Sequence, residues 1–195
     1  MKKLTLLFPI AILLFLSSCS GETADTTIED AIEIVENVEE TYTSSNEIFV
    51  SEDNSFQIQF PVSPERSVEV VPTEIGDIEL VTYMYEQSLT KVYMVAYSEY
   101  PSLLVQMSND EDLLIGGKEG ALGSLGIYTL DEEKDLEMDG NKGMYFKGKN
   151  TDNFHVEYEM YMNGNRLYQI AIMEDGSYPS EPEDKAFFET FEFLD

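Results

Sequence analysis

The sequence predicts an α+β domain in which a single antiparallel β-sheet is covered by helices on both faces, an α/β/α sandwich. Three observations carry this. Gly76–Pro101 consists of two long apolar runs around Gln87-Ser88-Leu89-Thr90, the pattern of a hairpin at the middle of the sheet. Both faces of that hairpin are apolar. Ile78, Leu80 and Met84 alternate with Val81, Tyr83 and Tyr85, and Val92, Met94, Ala96 and Tyr100 alternate with Tyr93, Val95 and Tyr97. A sheet with one wet face would show polar residues on that side, so these strands require cover on both. Two segments of helical character, Asn109–Ser124 and Glu181–Glu192, are available to supply it.

Residues 1–18 read as a targeting segment. Lys2 and Lys3 precede a mostly apolar run, Leu4–Leu16, which is short for a transmembrane helix and has signal-peptide flanks. Leu16-Ser17-Ser18-Cys19 resembles the bacterial lipobox: a Leu three residues before Cys, with small residues between. In such signals the Cys becomes the first mature residue, its thiol takes diacylglycerol and its amine is often acylated. The resemblance implies lipidation at Cys19 and a lipoprotein of the cell envelope, anchored to a bacterial membrane on its periplasmic or outer face. Each buried CH₂ of the acyl chains would contribute about 0.8 kcal/mol to anchoring. The alternative is an ordinary secretory signal in which the Cys is incidental.

Cys19 is the only cysteine, so no intrachain disulfide can form, and lipidation would leave no free thiol. No cofactor is expected beyond that covalent lipid. Residues 19–48 form an acidic tether. Within it Thr27 can cap a short helix over Thr27–Glu40, in which Ile28, Ala31, Ile32, Val35 and Val38 recur at helical spacing. Two roles are open to it, a fluctuating spacer or a stripe that docks on the domain or a partner.

The globular domain is expected over 49–195. Phe56–Phe60 alternates apolar and polar residues before Pro61 and reads as the first strand. Arg66–Val71 reads as the second, with Pro72–Gly76 as a connection into the hairpin. Asn109–Ser124 opens on acids and carries Leu113, Leu114 and Leu122. Its glycines Gly116, Gly117, Gly120 and Gly123 suggest a small-residue face for close packing. Tyr128–Met138 and Lys142–Lys147 flank Asp139-Gly140-Asn141, and Phe154–Met162 and Arg166–Met173 flank Asn163-Gly164-Asn165, giving two more hairpins. Glu181–Glu192 presents Phe187, Phe188 and Phe191 as an apolar stripe, and Phe193-Leu194 can end as a strand.

Composition excludes some functions. Thirty-nine acids against 11 bases, a formal charge of −28, argue against a nucleic-acid partner and against a polybasic membrane contact. The acidity suits solubility, cation binding or a basic partner. His155 is the only histidine, so zinc sites of the usual His/Cys kind cannot form within one chain. Gly123-Ser124-Leu125-Gly126 lacks the glycine two before Ser that a nucleophile elbow needs. Gly116-Gly117-Lys118 is followed by Glu119 and has Asp112 where a phosphate loop has glycine. Asp135, Glu137, Asp139 and Gly140 begin like a calcium loop, but Phe146 stands where a bidentate Glu is required and Lys142 where an apolar residue belongs. No catalytic or metal-ligating residue is therefore assigned.

Several stretches together resemble the bacterial PsbP-like domains, grouped by fold with the Mog family. They are Phe56-x-Ile58-x-Phe60-Pro61, Gly76 leading into Tyr93-Met94-Val95-Ala96-Tyr97-x-x-Tyr100-Pro101, and Gly120-Ala121-Leu122-Gly123. Leu136-x-x-Asp139-Gly140-x-x-Gly143, Asn165-Arg166-Leu167-Tyr168-Gln169 and Phe187-Phe188-x-Thr190-Phe191 complete the set. The resemblance spans about residues 49–194 and implies an antiparallel sheet between helices. It also implies a non-enzymatic binding or assembly role, and it transfers no functional residue. The expectation is an envelope lipoprotein that acts as a binding or accessory module for an unknown envelope protein. A small-ligand or divalent-cation-binding lipoprotein is the alternative, and a hydrolase using His155 is a third.

Overall fold

The computed structural model describes residues 47–73 and 76–194. Cys19, the expected signal segment, most of the expected tether and the helix expected over Thr27–Glu40 lie outside the described residues. In chain order the elements begin with β1 (Phe49–Val50), β2 (Phe56–Ile58), β3 (Glu65–Thr73), β4 (Gly76–Ser88) and β5 (Lys91–Glu99). Helices α1 (Ser102–Met107) and α2 (Asp110–Leu125) follow. Then come β6 (Ile127–Met138), β7 (Asn141–Asn150), β8 (Phe154–Asn163), β9 (Arg166–Asp175), α3 (Pro182–Glu189) and β10 (Glu192–Phe193).

Seven strands form the main sheet in the order β3-β4-β5-β9-β8-β7-β6, and β1, β2 and β10 form a small second sheet with β2 in the middle. All described pairings are antiparallel. Register places Tyr83, Val95 and Ile170 in one row on one face of the main sheet, here the front. Met94, Ala171, Tyr158 and Phe146 form a row on the back.

On the back, Leu113, Leu114 and Ala121 of α2 pack against Phe146, Tyr158, Met160 and Leu167. The sequence starts this helix well. The Asn109 side chain accepts the Asp112 N–H at 2.9 Å, and Asp110, Glu111 and Asp112 lie where the helix dipole favours anions. Gly126, at φ 68°, ends it in the left-handed conformation that glycine adopts at least cost.

On the front, Phe56, Ile58 and Phe60 insert over Tyr83, Tyr93 and Val95, joined by Phe187 of α3 and by Phe191. Phe60 meets Phe187 edge-on at 5.0 Å, and Phe187 meets Tyr93 at 5.3 Å. The expected α/β/α sandwich is therefore not formed. The protein is mostly antiparallel β-sheet, and its front is covered by a second, three-stranded sheet with one two-turn helix beside it. The physical reason is that Phe193 pairs with Phe56 and Glu192 with Gln57. The C-terminal aromatic run thus joins the N-terminal strand as a sheet after α3 ends at Glu189.

Other expectations shift as well. The Gly76–Pro101 hairpin is displaced from the centre, which β9 occupies. Leu80, Thr82 and Met84 on the back of β4 are only half-buried, because the helices cover the other end of that face. Strand β3 runs through Pro72 to Thr73, as an edge strand can. Of the four α2 glycines, only Gly117 makes a close approach, where a Cβ would lie 2.7 Å from Leu167 Cδ2. Gly116, Gly120 and Gly123 face open space.

These spaces give opposite outcomes for one chemical change. Gly116→Ala should stabilise the fold by up to about 1 kcal/mol, through helix propensity alone. Gly143→Ala places a Cβ 2.3 Å from Tyr161 Cδ1 and 2.7 Å from the Met160 carbonyl, and should destabilise by about 1–3 kcal/mol. Urea unfolding of both variants checks this, and shifts of the same sign would contradict the packing described.

Candidate functional site

A cleft of about 420 Å³ opens at the front where β4 and β9 begin and β5 ends. Val81 and Tyr97 lie at its base, and Asp77, Glu79, Glu99 and Arg166 line its walls. Strand pairing brings these residues together. Val81 is opposite Tyr97 and Glu99 opposite Arg166, while Asp77 and Glu79 share the strand face of Val81.

Arg166 organises one wall. Its guanidinium reaches Asp53 at 2.5 Å and Glu99 at 3.3 Å, and lies 4.8 Å from the centre of the Tyr97 ring. Asn165 donates to Glu99 at 3.1 Å. Asp53 comes from the tight turn 51–55, in which the Ser51 hydroxyl accepts the Ser55 and Phe56 N–H groups. Partial burial would raise the Asp53 pKa, but hydrogen bonds from Ser55, Arg166, Ser51 and Tyr97 outweigh it and hold the carboxyl well below its ordinary range. The Tyr97 hydroxyl is pushed up to about 12, by burial first and then by the Asp53 charge. Among the described residues, Asp77 and Glu79 make no ion pair. The cleft therefore carries two uncommitted carboxylates beside an arginine already shared by two others.

Two further polar groups occupy the front. Lys91 and Asp184 form an ion pair at 2.8 Å with relative exposures of 8% and 2%. Asp184 also accepts the Tyr93 hydroxyl at 2.6 Å and the Glu181 N–H at 2.8 Å. Burial works against the Lys91 ammonium, yet its hydrogen bond to Asp184, that carboxylate's charge and Glu174 keep its pKa above the ordinary value. Over β7 and β8 the front carries two tyrosine–carboxylate pairs, and Tyr161 of one of them also stacks on Phe191 in the aromatic core. Tyr145 donates to Glu157 at 2.6 Å and Tyr161 to Glu159 at 2.8 Å. Burial raises the pKa of Glu159 despite that bond.

The residues singled out from the sequence fall as follows. Cys19 is outside the described residues. His155 lies in β8 with Tyr178 edge-on at 4.8 Å, and its buried Nδ1 has no hydrogen-bond partner among the described residues. The Ser124 hydroxyl donates to the Ala121 carbonyl of its own helix at 3.0 Å. Lys118 pairs with Glu133. Asp135 and Glu137 share one face of edge strand β6, while Asp139 lies in the β6–β7 turn at φ 53°. Among the described residues no three His, Cys, Asp or Glu side chains converge to hold a metal ion. Asp53, Asp77, Glu79, Glu99 and Arg166 were not signalled as a group. The one available hint was Asn165-Arg166 just after Gly164, a polar pair at a hairpin exit.

No family model and no curated protein sequence matches the chain. Among solved structures it is similar to the cyanobacterial PsbP protein CyanoP of Synechocystis, with 12% identity, 76% of this chain and 92% of that one covered, and a TM-score of 0.46. It is also similar to a protein of unknown function from Pseudomonas aeruginosa, with 8% identity, 67% and 83% covered, and a TM-score of 0.32. These likenesses assign no role to any residue.

The Asp53 environment sets a pH dependence. A carboxyl whose folded pKa lies below its ordinary 3.8 contributes stability above that pH and loses it as pH falls towards the folded value. Asp53→Asn should cost about 1 kcal/mol near neutral pH, allowing for solvent screening of a partly exposed pair. The gap between wild type and variant should narrow by about pH 3. Urea titrations at the two pH values test this, and a constant gap would refute the assignment.

Proposed function

We propose that this protein is a lipid-anchored, non-enzymatic binding module of a bacterial envelope, and that its front cleft takes a cationic group of a protein partner. The observation that carries the reading is the pair of uncommitted carboxylates, Asp77 and Glu79, over a Tyr97–Val81 base. Their spread suits a lysine or arginine side chain, with its several donors, better than a small ion. The charge of −28 favours encounter with a basic partner over long range. The lipobox-like Leu16–Cys19 supports an anchor at Cys19. Among the described residues the Ser124 hydroxyl donates to the Ala121 carbonyl and the buried His155 Nδ1 has no hydrogen-bond partner, so neither shows the nucleophile–base contact that the hydrolase reading needs.

Crosslinking in native membranes followed by partner identification is the direct test. Wild type should yield a discrete adduct whose amount falls several-fold in Asp77→Asn/Glu79→Gln and at high salt, where screening shortens to a few ångströms. An adduct insensitive to both would sink the cleft reading. Cys19→Ser should release the protein from membranes, and retention would sink the anchor.

A further inference from the structure

The two edges of the main sheet differ in a way that bears on the partner. Edge β6 is guarded. It carries Asp131, Glu132, Glu133, Asp135 and Glu137, and two register shifts interrupt its pairing with β7. Such charges and bulges block the approach of another strand. Edge β3 has no register shift: its nine residues from Glu65 to Thr73 pair continuously with β4. It exposes Val68 (43%) and Val70 (58%) on the front. No described strand lies on its outer side. About half of its backbone N–H and C=O groups therefore point outward, as in any antiparallel edge.

We propose that β3 receives an added antiparallel strand from a basic partner, an extended segment that alternates apolar and basic residues. This rests on the reading of the front cleft as a cation site and names the form of its partner. The alternation follows from the side chains on β3. An added strand would lay its front side chains beside Val68 and Val70, and its back side chains beside Glu65 and Glu69. Apolar residues therefore fit the first set and lysine or arginine the second. In the front row, Val70 pairs with Glu79 and Pro72 with Asp77. A basic residue at the end of the added strand would lie two strand spacings, about 10 Å, from those carboxylates. A long cationic side chain and the Glu79 side chain together span that distance. A second copy of this chain fits poorly, because it would bring the same acidic face and the same net charge to the edge.

The test uses the full chain and a synthetic peptide of alternating lysine and valine in which the end valine, the one that would lie on the front beside Pro72, is replaced by lysine. A second peptide has the same sequence but is N-methylated at every other amide, which removes one edge's donors and keeps charge and side chains. Binding is read by fluorescence anisotropy, and amide hydrogen exchange is followed over residues 65–73. The unmodified peptide should slow exchange in that strand and bind roughly tenfold or more tightly than its methylated form. Equal binding of the two peptides, or protection absent from 65–73, would overturn strand addition. Asp77→Asn/Glu79→Gln should weaken both peptides alike. If it weakens neither, the cleft reading falls, while the methylation comparison still decides strand addition. Val70→Lys should repel the basic peptide without loss of fold, checked by its melting transition. A peptide-free dimer that Val70→Lys dissolves would overturn the assignment to a foreign strand.

Discussion

The front cover depends on a buried charge. Asp184 is enclosed by Lys91, the Tyr93 hydroxyl and the Glu181 N–H. Lys91 is shared with Glu174 at 3.2 Å. An ion pair this deep is weak evidence of net stability, because desolvation offsets much of its Coulomb energy. Its consequence is positional. It fixes the first turn of α3 on the first residues of β5, which sets Phe187 against Tyr93 and Phe60. From there the chain can deliver only Phe191 and the short β10 to the edge of β2. Loss of Lys91 would leave the Asp184 carboxylate buried without an ion-pair partner among the described residues, at a cost of several kcal/mol, whereas loss of Asp184 would leave Lys91 with Glu174.

The front face is consequently divided. Its aromatic half is closed by β2, β10 and α3. Beyond it, Tyr145 donates to Glu157, while Tyr161 stacks on Phe191 at the border of the aromatic half and donates to Glu159. The turn 51–55 marks a second limit. Asp53 ties it to Tyr97 and Arg166, and Glu52 ties it to Arg66 at 3.3 Å. What stays open beyond that turn is the cleft. Its acids are thus the part of the front that neither cover reaches.

The sequence made the main strands legible where two signals agreed. Period-two apolar runs bounded by Asp139-Gly140 and Asn163-Gly164 located β6 to β9, and acids after Asn109 located α2. The small sheet was not legible as such, because strands of two or three residues have no period to detect. Periodicity also shows strand faces but not strand order, so the β4–β5 hairpin was given the centre that β9 holds. The same gap hid the cleft. Glu99 and Arg166 meet only because β5 pairs with β9, and Asp53 reaches them from a turn that sequence pattern marks only as polar. Nothing in the sequence around Lys91 and Asp184 signals their burial, since it arises from tertiary contact.

The charge and the unguarded edge explain each other. A regular edge strand that exposes valines is a hazard when like molecules can pair along it. Here every copy brings a formal charge of −28, so approach of a second copy is repelled before backbone groups can engage. Edge β6 has local protection in its five acids and its bulges, whereas β3, with Glu65, Glu69 and Pro72 but no bulge, relies more on the field of the whole molecule. That field excludes by sign. It opposes acidic strands and favours basic ones, so the repulsion between copies would also act as a filter on the strand proposed to add to β3. An edge protected in this way remains chemically competent, and the selectivity resides in the surrounding carboxylates.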